Sequence, residues 1–120
     1  MIASVLLALA VAIGAFGAHG LKSQISSEML QIYKTGVEYH FYHALGLLLI
    51  GVLAAFMPSV FAKWSAILLF TGIVLFSGSL YVLAITGIKW LGAITPFGGL
   101  SFIAGWILLF IGVWKGEFIR

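Results

Sequence analysis

The sequence contains no cysteine, no aspartate and no asparagine, and only 8% of its 120 residues are charged. Without cysteine there are no disulfides, thiolate metal sites or cysteine nucleophiles. Without asparagine there is no N-glycosylation site, and without aspartate every catalytic scheme that needs one is excluded. An ordinary soluble domain is about 25% charged. Nine charged side chains cannot clothe a small soluble fold, which exposes much of its surface.

What the chain does have is apolar surface: 63% of its residues are hydrophobic. Crossing about 30 Å of hydrocarbon takes a helix of about 20 mainly apolar residues. Four stretches qualify, over residues 2–19, 39–57, 64–86 and 91–114, and none carries a charge within its apolar run. The expected fold is all-α: an integral membrane, up-down four-helix bundle forming one domain over residues 1–120. The first stretch ends in Ala15-Phe16-Gly17-Ala18, which has the look of a signal-peptidase site. The basic n-region of a signal peptide is missing, so the stretch is read as a spanning helix.

Residues 21–38 form the one extended polar segment. Ser26-Ser27-Glu28 is a helix start, with a capping hydroxyl and an acid in the first turn. Glu28, Gln31, Lys34, Thr35 and Glu38 then fall on one stripe, with Met29, Leu30, Ile32, Tyr33 and Val37 opposite. The pattern predicts an amphipathic helix over residues 26–37, lying in the interface and bending at Gly36 into the second span.

The six basic residues, Lys22, Lys34, Lys63, Lys89, Lys115 and Arg120, are scattered singly between apolar runs. That spacing reads as helix-end anchoring and points away from nucleic acid. They divide three to three between the two sides, so they do not orient the chain; the reading adopted has both termini in the cytoplasm. Trp64, Trp90 and Trp114 at predicted helix ends read as an interfacial aromatic belt. Trp106 is deeper and is expected to pack, while Glu117 and Arg120 read as a short solvated tail.

Small residues mark expected packing faces. Ala10, Gly14 and Ala18 recur every four residues. Ser65, Gly72, Ser79 and Thr86 recur every seven, as do Gly98, Gly105 and Gly112. In lipid such stripes let helix backbones approach.

Uncharged polar residues gather in the half of the membrane opposite the amino terminus, here the far half. The candidate polar site there comprises His19, His40, His43, Ser79 and Thr95. His40 and His43 share a helix face, and Glu38 sits about 160° from His40. Two readings stand side by side. In one the histidines form a proton-handling or metal-binding cluster. In the other they hydrogen-bond neighbouring helices and fix packing. Thr95-Pro96-Phe97-Gly98-Gly99 reads as a kink early in helix four, or as a broken helix of the kind that lines transporter sites. No catalytic set is assigned: Phe76-Ser77-Gly78-Ser79 offers serines but no orienting acid. No cofactor and no metal ligand set is expected, and the partners expected are the bilayer and a further copy or another membrane protein.

The segment Gly14-Ala15-Phe16-Gly17-Ala18-His19-Gly20-Leu21 resembles the signature of a small multi-pass membrane family of unknown function. That family is YgdD/YwdK-like, with an animal mitochondrial transmembrane relative. The resemblance continues through Tyr39-His40-Phe41-Tyr42-His43-Ala44-Leu45, Phe76-Ser77-Gly78-Ser79-Leu80-Tyr81 and Leu91-Gly92-Ala93-Ile94-Thr95-Pro96-Phe97-Gly98-Gly99. It implies a multi-pass protein of a bacterial inner membrane and no particular activity. The function expected is a non-catalytic, partner-binding or self-assembling membrane protein. The alternatives are a small dimeric transporter or channel with its polar site near His19, His40 and His43, and a membrane protein holding a metal or haem through those histidines.

Overall fold

The computed structural model describes residues 1–118. Its four long helices are α1 (Ile2–Leu21), α2 (Ser27–Phe56), α3 (Val60–Thr86) and α4 (Lys89–Trp114), each long and apolar enough to cross a membrane. The links between them are short, so consecutive helices run antiparallel. The body measures 53 × 26 × 16 Å along its principal axes. α2 and α3 form the centre. α1 packs on α2, α4 packs on α3, and the two outer helices do not pack against each other.

Helix ends follow local chemistry. The Ser26 hydroxyl accepts the Met29 amide at 3.2 Å and starts α2. The Ser59 hydroxyl accepts the Phe61 amide at 3.1 Å. That cap lets α3 begin at Val60, four residues before the expected start at residue 64. α3 stops at Gly87, which takes the left-handed φ of 71° and donates its amide to Leu83. α1 and α3 each contain one wide π-helical turn, Gly17–Leu21 and Ile73–Ser77.

Three expectations are corrected. The first concerns the amphipathic segment, which is not a separate interfacial helix. It forms the opening turns of α2, an unbroken helix of 30 residues. Such a helix is about 45 Å long, so its polar start stands beyond about 30 Å of hydrocarbon. Glu28, Gln31, Lys34 and Glu38 are exposed, as the stripe requires. Its apolar face, however, meets protein: Tyr33 is buried with Leu21 of α1 and Ala84 of α3. Gly36 does not bend the helix. A Cβ there would lie 2.9 Å from the Tyr81 ring and 3.3 Å from Leu80 Cβ, so the glycine admits α3 to close range.

The second correction concerns Pro96. A 3₁₀ turn, Lys89–Ala93, precedes the α-helical part of α4, which begins at Thr95. Pro96 therefore sits in the first turn, where a missing amide hydrogen costs nothing, and no mid-helix kink results. The third concerns the tail, where Glu117 is half-buried rather than fully solvated: Gly116, at φ 73°, turns the chain, and Phe118 is buried near Gly112. The Lys115 Nζ stands 5.3 Å from the centre of the Phe61 ring. Arg120 lies outside the described residues.

The α3–α4 seam is closed by glycines meeting aromatic and aliphatic side chains. A Cβ on Gly98 would lie 2.8 Å from the Phe76 Cα, and one on Gly105 would lie 2.9 Å from Leu69 Cδ2. Gly112 meets Phe61 in the same way, and Gly72 faces the ring of Phe102. Gly14 is the corresponding contact between α1 and Val37 of α2. Gly98→Ala is expected to lower the thermal stability of detergent-solubilised protein by about 1–3 kcal/mol, because its neighbour is backbone and cannot rotate away. Gly51→Ala, where an added Cβ meets nothing within 4 Å, should leave the melting temperature unchanged or slightly raised.

Candidate functional site

The far half of the bundle contains a cluster of polar side chains from α2 and α3 that also bonds to the backbone of α1. Two four-residue spacings face each other across the central pair: Gly36 and His40 on α2, Ser77 and Tyr81 on α3. The Ser77 hydroxyl donates to the Gly36 carbonyl at 2.7 Å, fully buried. One turn further, the His40 Nδ1 and the Tyr81 hydroxyl are 2.8 Å apart. Tyr33 completes the cluster: its ring centre is 5.4 Å from that of Tyr81, and its hydroxyl donates to the Ile13 carbonyl of α1. The cluster therefore bonds three helices together at one level.

Tyr33 reaches α1 because Gly17 offers no side chain in the way; a Cβ at residue 17 would overlap the Tyr33 ring. Tyr33 and Tyr81, with Ala12, Ile13, Phe16 and Ile85, line a lateral groove of about 340 Å³ between α1 and α3. His40 lies behind these tyrosines at 3% exposure. Its Nε2 is buried without a hydrogen-bond partner among the described residues.

The predicted site residues separate into three places. His19 is exposed on the π-helical turn that ends α1 and joins neither of the other histidines. His43 is buried on α2, where its ring stacks on Phe102 of α4 with centres 3.5 Å apart. Its Nδ1 donates to the Tyr39 carbonyl at 2.7 Å, which fixes the proton on that nitrogen. Ser79 and Thr95 bond each other at 2.7 Å and tie α3 to α4. Among the described residues, no three side chains of metal-binding type come together. The convergence of His19, His40 and His43 needed for a shared metal or haem site within one chain does not occur.

Chemically, the cluster can hold a proton between a phenol and an imidazole, but it has no acid beside it. Glu28 and Glu38 are on the exposed stripe of α2. Ser77 donates to a carbonyl rather than to a base, which is the opposite of nucleophile activation. Tyr33, Gly36, Ser77 and Tyr81 were absent from the residues singled out as a site. The signal that would have found them is the matched four-residue spacing on α2 and α3, which marks two faces able to meet.

Tyr81→Phe removes the hydrogen-bonding partner of His40 Nδ1 and leaves that imidazole buried with neither nitrogen bonded. The expected loss is about 1–3 kcal/mol in unfolding measured in detergent micelles. Tyr42→Phe, at an exposed position of the same helix type, should leave stability unchanged; equal effects of the two would dismiss the bond as a structural tie.

Comparison with known proteins places the chain among membrane proteins. No solved structure matches the chain. The chain is 52% identical over 108 residues to the membrane protein YwdK of Bacillus subtilis, covering 89% of this chain and 88% of that protein. It is 50% identical over 107 residues to the membrane protein SH2409 of Staphylococcus haemolyticus, covering 89% and 87%. The relatives carry the family label UPF0382 and are named as membrane proteins. The model for a family described as protein of unknown function, DUF423, matches residues 13–99. With four spanning helices and these relatives, the chain belongs to the UPF0382 (DUF423) family of bacterial multi-pass membrane proteins, whose function is unknown.

Proposed function

We propose that this chain is a non-catalytic, self-assembling membrane protein whose copies meet through the outer face of α1. The observation that carries this reading is the composition of that face. Ser4, Ala8, Ala12, Ala15 and His19 recur at three- and four-residue steps and are all exposed. They lie on the side of α1 opposite Ala3, Ala10, Gly14 and Gly17, which meets α2. The outer face of α4 has a different character: Phe97, Leu100, Ile103, Ile107, Phe110 and Trp114 are exposed there. Bulky side chains fill space among acyl chains, whereas small ones let a second backbone approach. A helix with small residues on both faces is suited to two helical neighbours, and within the chain α1 packs mainly on α2.

The non-catalytic half of the reading is supported by how the polar groups are used. Tyr33, His40, His43, Ser77, Ser79, Thr95 and Ser101 each engage a backbone carbonyl or another side chain. The dimeric transporter reading has less support, since His19 stands on the outer face of α1, away from His40 and His43.

The cysteine-free chain makes the test direct. Ala8→Cys is expected to give a disulfide-linked dimer on mild oxidation in native membranes. Ile103→Cys on the outer face of α4 should remain monomeric. Equal crosslinking at the two positions, or none at residue 8, overturns the proposal.

A further inference from the structure

The near half of the protein carries a second feature, independent of the outer face of α1. On the amino-terminal side, residues of α1, α2 and α3 line a groove of about 720 Å³. Sites that enclose small ligands measure roughly 300–1,000 Å³. The floor includes Ala3, Gly51, Ala55 and Ala66, and Phe56 and Phe70 are among the larger groups around it. A Cβ placed on Gly51 meets nothing within 4 Å, so the floor is open space rather than a packed seam. Its lining side chains are all apolar.

The groove lies at hydrocarbon depth, where the medium that fills it is acyl chain. A slender, unbranched acyl chain is the occupant that the groove's apolar side chains match. The charge at one end specifies more. Lys63 precedes Ala66, Ile67 and Phe70 by three, four and seven residues, which places all four on one face of α3. Lys63 is exposed in the first turn of α3, at the level where headgroups lie. Trp64 beside it is also exposed. Glu28 and Glu38 are toward the opposite end of α2, and Glu117 follows the end of α4; within α3 itself the one charged residue is Lys63, at the groove end.

We infer that the groove between α1, α2 and α3 binds one anionic glycerophospholipid, with an acyl chain along Gly51 and its phosphate at Lys63. The experiment reconstitutes the full-length protein in vesicles of equimolar phosphatidylglycerol and phosphatidylcholine, and counts retained lipids by native mass spectrometry after mild detergent extraction. One retained phosphatidylglycerol per chain is expected, enriched about five-fold over phosphatidylcholine, which is the effect of one lysine near an anionic headgroup. Lys63→Gln should abolish the enrichment, and Gly51→Leu, which fills the floor, should abolish retention of either lipid. Lys22→Gln at the opposite side should change neither. Absence of retained lipid, equal retention of the two lipids by the unaltered chain, or enrichment that survives Lys63→Gln overturns the inference. So does disulfide pairing of Gly51→Cys between copies, which would make the groove a protein interface. None of these readouts depends on whether copies associate through α1.

Discussion

Hydrocarbon offers no hydrogen-bond partners, and the rest of this structure is organised around that lack. A buried hydroxyl or imidazole that finds no partner costs about 1–3 kcal/mol by mutational measures. The chain meets the constraint by turning most of its buried polar side chains into ties between helices. Ser77 reaches the Gly36 carbonyl, Ser79 reaches Thr95, and Ser101 reaches the Leu68 carbonyl. Each of these bonds requires two helices at close range, and glycine supplies the range. Gly36 under Tyr81 and Gly98 against Phe76 are the same device on opposite sides of α3. The polar ties and the small-residue contacts are thus one system, because a side chain at either glycine would separate groups that have nowhere else to bond.

Two buried polar atoms escape this system among the described residues: His40 Nε2 and Ser65 Oγ. They lie in different settings. His40 is one member of the tyrosine cluster in the far half, and its other nitrogen is bonded. Ser65 is on α3 at the α4 seam, where its carbonyl faces Gly105. The same division runs through the whole protein: polar chemistry is concentrated in the far half, and the large apolar recess opens in the near half.

Several features were legible without coordinates because they depend on single helices. The number of spans follows from the length of the charge-free runs. The capping of α2 by Ser26 and the exposure of Glu28, Gln31, Lys34 and Glu38 follow from local spacing. The position of Pro96 was less legible: whether proline kinks a helix or opens one depends on where hydrogen bonding begins, and the preceding 3₁₀ turn sets that. Gly36 was misread for a related reason. A glycine in an amphipathic run signals either a bend or a close approach, and only the position of Tyr81 distinguishes them.

The sequence by itself determined that the chain must be solvated by lipid, that it crosses as four helices, and which residues could face a neighbour. These follow from composition and periodicity, which act within one helix. Tertiary structure alone decided which neighbour each face meets. It set His43 against Phe102, paired His40 with Tyr81, left His19 outside, and placed Tyr33 in the centre of the cluster. Those outcomes depend on how antiparallel helices slide and rotate against one another, and no residue's local spacing carries that information.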